Sequence, residues 1–327
     1  MEPVSDSLVV PLEDINPEDI ELHGGKSSNL ARLHRMGFRV PRGFSVTSSC
    51  FQRVLDDIPQ LKETIDRIGD SNDYEDILES AIGLQSLVGE YIVPSDIRQQ
   101  IANIFQNLRK ITGNLLHGYA VRSSATVEDR SDISFAGQAD SFLCITGIEN
   151  IIESVKNVWQ SAFSPRAVIY LHTKEIPLSR MKMAVFIQEM VPADISGVMF
   201  TANVVTRNTD EILINSTWGI GDTLVSGKVI PDTFVLNKSP LAINQREVGA
   251  KSKMCVPKVM DDCVEPTLID TPSEKAAELS LDDDTLLWIA ETGLKIEKGY
   301  GSPQDIEWCL TGNELVILQS RPITTLG

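Results

Sequence analysis

DIEWCL at residues 305–310, TGN at 311–313 and ELVILQSRPI at 314–323 read as two alternating strands on either side of a glycine turn. Alternation with period two sends every second side chain to the same face. A short loop that pairs Glu307 with Gln319 brings both side chains out of one face, and Arg321, two residues on, joins them. A carboxylate, an amide oxygen and a guanidinium then converge. That set suits a magnesium triphosphate, because Mg²⁺ takes oxygen ligands and keeps waters while arginine forks onto phosphate oxygens. A plain salt bridge between Glu307 and Arg321 across the hairpin is the competing reading.

Upstream, strand signals recur in MAVFIQEMV (183–191), SGVMFT (196–201), EILINST (211–217) and DTFVLN (232–237), and a helix fits TLLWIAETGLKIEKGYG (285–301), ending among glycines. FIQEMV can serve a purine edge, since a strand leaving a hinge offers backbone N–H and C=O groups while Met190 and Val191 supply apolar walls; it reads equally as a core strand. Further back, NIIESVKNVWQSAF (150–163) carries a helical apolar stripe, and Ser164-Pro165 caps and starts another helix to about His172. YAVRSSATVEDRSDISFAGQADSFLCI (119–145) reads as a long hairpin. Arg122 stands there among Ser123, Ser124 and Thr126, and Ala136 and Gly137 on the returning limb permit close backbone approach to a ligand. Its alternative is an ordinary polar hairpin.

Residues 60–116 look mostly helical. FRVPRGFSVT (38–47) alternates like a strand in which Pro41 suits an edge position, with Thr47 as cap of the helix that follows. GGKSSNLARLHRMG (24–37) reads as a glycine turn feeding a helix. Lys26 stands at the helix start, where backbone N–H groups and the dipole favour an anion, although a glycine turn before an exposed lysine is also a common structural device. The whole is an α+β chain with strand-rich C-terminal parts.

Composition narrows the function. With 327 residues, 42% of them hydrophobic, the chain buries a real core and is not disordered. A net charge of −17 repels phosphate backbones and anionic lipid, which argues against nucleic acid or a membrane as main partner. Cys50, Cys144, Cys255, Cys263 and Cys309 are odd in number and lack CxxC spacing, so neither a disulfide framework nor zinc is indicated. MEPVSDSLVV has no secretory pattern and no stretch approaches a bilayer span, so the protein is expected to be soluble and cytoplasmic.

Taken in order, GGKSSNL, VPRGFSVT, VRSSATVEDRSDISFAGQ, QEMV with SGVMFT, WGIGDTLVSG, and QDIEW with LQSRPIT resemble the N-terminal ATP-binding domain shared by phosphoenolpyruvate synthase, pyruvate phosphate dikinase and rifampicin phosphotransferase. The resemblance covers nearly the whole chain. It implies an ATP-grasp-like fold in which two lobes, about 1–190 and 191–327, clamp the nucleotide. By the same resemblance, Lys26, Arg122 and Arg321 hold phosphates and carry catalysis, and Glu307 and Gln319 bind Mg²⁺. Thr126 and Gly137 belong to a phosphate-covering loop. Gln188, Glu189 and Val191 line the adenine pocket, the last two through their backbone. Ser27 and Ser28 replace the usual small residues after the lysine, and Asp222 stands where glutamate is common.

The resemblance further implies that ATP ends as AMP, with its β-phosphate on a histidine of a swivelling domain and then on an acceptor such as pyruvate or an antibiotic hydroxyl. The TSHA-like motif that carries such a histidine does not occur here. His23, His34, His117 and His172 fall in a turn, on a helix, before a strand and at a helix end, none in an acceptor's context. A phosphohistidine domain and an acceptor-binding domain, in the same or a separate chain, are therefore expected partners. An ATP-grasp ligase that forms an acyl phosphate, or a non-catalytic ATP sensor, is the alternative.

Overall fold

A computed structural model describes residues 7–113, 117–126, 140–260 and 263–324. Two compact units emerge: the first holds residues up to Ala31 together with Arg42–Met190, the second Arg32–Pro41 together with the chain from Val191 onward.

The first unit contains β1 (Val9–Pro11), α1 (Ile20–Arg35, whose last residues fall in the second unit), β2 (Gly43–Val46), α2 (Ser48–Asp57), α3 (Pro59–Asp70), α4 (Tyr74–Gly89), α5 (Ser95–Thr112), β3 (Tyr119–Ala125), β4 (Ser141–Ile145), α6 (Ile148–Ser161), α7 (Pro165–Thr173) and β5 (Met183–Glu189). Its antiparallel sheet has the order β1-β2-β5-β3-β4. Helix α5 shows why the helices form: Ile97, Ile101, Phe105 and Leu108 recur at helical spacing and are all buried, and Gly113 at φ 73° ends the run. Helix α7 starts on Pro165, and the Ser164 hydroxyl accepts the Ala167 N–H at 3.2 Å.

Alternation divides the sheet's faces. Phe44 and Val46 of β2, Val121 of β3, and Met183, Val185 and Ile187 of β5 join Phe105, Val155 and Trp159 of the helices in one apolar core. Each such fully buried side chain contributes about 1.5–3 kcal/mol relative to exposure. Ser45, Arg122, Ser124, Phe186 and Gln188 therefore leave the opposite face.

The second unit contains β6 (Ile195–Phe200), β7 (Glu211–Trp218), α8 (Asp222–Val225), β8 (Asp232–Lys238), β9 (Leu241–Glu247), β10 (Lys253–Met260), β11 (Cys263–Asp270), α9 (Ser273–Ala277), α10 (Asp283–Tyr300), β12 (Gln304–Thr311) and β13 (Glu314–Pro322). Six strands form an antiparallel sheet in the order β13-β12-β6-β7-β8-β9, and β10 and β11 make a separate two-stranded ribbon. Helix α10 is capped by Asp282, whose carboxylate accepts the Thr285 N–H at 2.8 Å, and ends at Gly301 with φ 74°. It packs on β12 and β9 and buries Leu286, Ile289, Ala290 and Ile296.

Two sequence expectations need correction. Strand β2 lies inside its sheet, between β1 and β5, because Pro41 falls before it and leaves the strand free to pair on both sides. Thr47 occupies the N-cap position of α2, but its hydroxyl donates to Leu8 O at 3.2 Å instead of capping, tying the helix start to the segment before β1. The strands after DTFVLN, β9 and the ribbon, have no counterpart in the sequence reading. Cys50, Cys144, Cys255 and Cys309 are buried free thiols.

Candidate functional site

In the first unit, Gly24 breaks α1 with φ 71° and ψ 170°, so that Lys26 begins the helix proper. The break is forced by proximity: a Cβ on Gly24 would lie 1.9 Å from Ser124 O. Four hydrogen bonds zip α1 to β3. The Ser27 N–H donates to Ser124 Oγ at 3.1 Å and the Ser27 hydroxyl to the same oxygen at 3.2 Å. Ser124 Oγ donates to His23 O at 2.8 Å, and Lys26 Nζ to Ser123 O at 3.1 Å. His23 is itself buried, and loss of solvent pushes its imidazole down to about 4.

Half-buried Arg122 lies on the same sheet face as Ser124 and Gln188, since Ala120 pairs with Gln188 and Arg122 with Phe186. Gln188 is 3% exposed, and among the described residues its Oε1 has no hydrogen-bond partner. Glu189 is engaged twice with Arg42: its N–H donates to Arg42 O, and its Oε1 accepts the Arg42 N–H, both at 2.9 Å. Its backbone N–H is thereby committed within the sheet. Thr126 is nearly buried, with its N–H on Lys182 O at 3.2 Å. Gly137 lies outside the described residues.

In the second unit, Glu307 pairs with Gln319 and Asp305 with Arg321. Regular pairing from Thr311 and Glu314 would set Glu307 opposite Leu318. A bulge between Glu307 and Trp308 absorbs Leu318 and moves Gln319 into place. Arg321 turns its fork onto Asp305, with Nε and Nη2 2.9 and 2.8 Å from Oδ2. Asp305 is the residue that sequence reasoning missed, although the D-x-E spacing already put it on the Glu307 face. Its side chain is 13% exposed. Burial pushes its carboxyl up, Arg321 opposes the shift and Glu307 adds to it. Val191, half-buried, opens the second segment of this unit, and Asp222 opens α8 with Lys228 Nζ 3.5 Å away.

Among the described residues no group of three or more His, Cys, Asp or Glu side chains forms a metal cage. No helix there is long and apolar enough to cross a membrane.

The family model described as pyruvate phosphate dikinase, AMP/ATP-binding domain, matches residues 20–327 and defines the class. The chain belongs to that family. It is 34% identical over 318 residues to the probable phosphoenolpyruvate synthase of Methanocaldococcus jannaschii, covering 96% of this chain and 26% of the relative. To the rifampicin phosphotransferase of Bacillus subtilis it is 36% identical over 323 residues, covering 98% and 36%. To the phosphoenolpyruvate synthase of Pyrococcus furiosus it is 32% identical over 353 residues, covering 96% and 43%. The chain thus spans less than half the length of these relatives.

Proposed function

We propose that this chain is the ATP-grasp-like, Mg-ATP-binding part of a dikinase-type phosphotransferase. In this reading ATP is cleaved to AMP, and the β-phosphate passes to a histidine on a separate domain and then to an acceptor, pyruvate or an antibiotic hydroxyl. The observation that carries it is the registered set on the second unit's sheet, Asp305, Glu307, Gln319 and Arg321 on one face.

The donor set fits magnesium: Glu307 and Gln319 offer two hard oxygens from opposed positions, and Mg²⁺ commonly takes one or two protein ligands and fills the rest with water and phosphate. When bound, the ion neutralises charge on the phosphates during transfer. The chain's own residues do the positioning. Arg321 offers a planar fork to phosphate oxygens, aimed by Asp305, and Lys26 and Arg122 supply cations from the first unit. The orphaned Gln188 Oε1 supports adenine as the base, because the exocyclic amino group of adenine is the donor this buried acceptor lacks, whereas the O6 of guanine is a second acceptor.

Calorimetric titration with Mg-ATP, Mg-GTP and ATP in chelator tests the reading. Metal-dependent, adenine-selective binding is expected; absence of binding would sink it. In the longer protein, release of ADP in place of AMP as main product would favour the acyl-phosphate ligase.

A further inference from the structure

The second unit buries an ion pair that the proposed chemistry does not use. The side chains of Asp232, at the start of β8, and Lys251 are both wholly inaccessible to solvent. Asp232 Oδ1 accepts from Lys251 Nζ and, at 2.9 Å, from the Gly249 N–H. Its Oδ2 accepts the N–H and the hydroxyl of Ser280, each at 2.7 Å. Lys251 Nζ also donates to Gly249 O at 3.0 Å, and the Ser280 and Ser216 hydroxyls lie 2.6 Å apart. Taking two charges out of water costs several kcal/mol per ion, and well-packed apolar replacements are often no less stable. A reason other than stability is therefore sought in what the pair fixes.

It fixes the root of the β10–β11 ribbon. Lys251 adopts φ 27°, left-handed for a residue with a side chain, and is held there by its N–H on Ile230 O at 3.1 Å. The next residue, Ser252, accepts the Thr271 N–H at 3.1 Å and closes the ribbon's base. Within β10, Cys255 O accepts the Ile220 N–H at 2.9 Å, and Gly219, at φ 78°, approaches so closely that a Cβ there would lie 2.2 Å from Cys255 O. On its other side Gly219 O accepts the Ser196 hydroxyl. Ser196 pairs with Cys309 and Val198 with Glu307, so Ser196 points from the Glu307 face, one row along the strands.

We infer that Asp232 and Lys251 are positioning residues: through the ribbon root and Cys255 they hold the Gly219–Gly221 turn on the face that carries Glu307, Gln319 and Arg321. The inference rests on the reading of that face as the nucleotide site. The test compares the wild-type chain with the double variant Asp232→Asn/Lys251→Met, which removes both charges together, and with Ser196→Ala, which frees the turn from its other anchor and leaves the ion pair intact. Amide exchange at Ile220 is read against core amides of β7 and β8, alongside Mg-ATP affinity.

Exchange at Ile220 is expected to accelerate at least about tenfold more than in the core in the double variant. Affinity is expected to fall about tenfold there and in the same direction in Ser196→Ala. Wild-type protection of Ile220 in the double variant, or a loss shared equally by all core amides, overturns the inference. If the double variant does not fold, Asp232→Asn alone, which keeps the side chain's shape and removes one charge, is read in its place, and wild-type protection of Ile220 there overturns the inference. A wild-type chain that binds no Mg-ATP refutes the site reading, while Ile220 protection still decides the lock.

Discussion

Gly24→Ala is expected to dismantle the Lys26 turn while leaving the helical layer of the first unit folded. Gly24 sits at φ 71°, ψ 170°, a region essentially closed to residues with a Cβ, at a cost of about 1–3 kcal/mol. The new Cβ would also stand 1.9 Å from Ser124 O and 2.4 Å from its carbonyl carbon. That backbone cannot retreat easily, because Ser124 pairs with Ala184 in the sheet interior. The start of α1 must move instead, breaking the two Ser27–Ser124 bonds and the Ser124–His23 bond. At about 1 kcal/mol each these add about 3 kcal/mol, for a total loss of about 4 kcal/mol or more. Lys26 leaves Ser123 O in the same movement, so Mg-ATP affinity should fall by more than about tenfold. Urea unfolding gives the first quantity and calorimetric titration the second. Stability within about 1 kcal/mol of wild type and affinity within about twofold would refute the reasoning.

Arg321→Ala should cost more than about 1.4 kcal/mol of ATP affinity, tenfold; unchanged affinity in titration would confine Arg321 to its ion pair with Asp305. Glu307→Gln should weaken the magnesium dependence of binding and leave the metal-free affinity nearly intact, and equal losses with and without metal would count against a ligand role. His23 gives a pH prediction. Its imidazole is pushed down to about 4 from the ordinary 6.5 by burial, so the unfolded chain binds the extra proton between those values. Its contribution is complete above about pH 6.5 and is lost as pH falls to 4, about 3 kcal/mol in all. A pH series of urea midpoints should show the slope, and His23→Asn should flatten it.

Legibility followed range. Helices such as α5 and α10 announce themselves through apolar spacing and glycine stops, and the two strands on either side of the TGN turn follow from alternation. The Leu318 bulge does not, because a one-residue excess in a strand leaves no mark in the periodicity. Pro41 misled in the opposite way: a local rule about edge strands was applied to a residue that lies before the strand. The β10–β11 ribbon pairs Pro257 with Pro266 and exposes Val259, Leu268 and Ile269, so neither proline avoidance nor buried alternation signals it. Asp232 and Lys251 were invisible because their partnership spans 19 residues and their burial is a tertiary fact. Asp305 is different; the D-x-E spacing makes its face readable, but its pairing with Arg321 depends on the bulged register.

Charge arithmetic on the second unit's face argues for metal before any chemistry is considered. Asp305 and Glu307 bring two carboxylates and Arg321 one guanidinium; burial pushes the Asp305 carboxyl up against the pull of Arg321, and Glu307 adds to the push. On the proposed reading a bare triphosphate would approach a face whose cation is already committed to a carboxylate and whose net charge remains negative. A divalent ion held by Glu307 and Gln319 would reverse that sign and let Arg321 share its five donors between Asp305 and a phosphate oxygen. Metal dependence on this face then follows from electrostatic balance as much as from coordination.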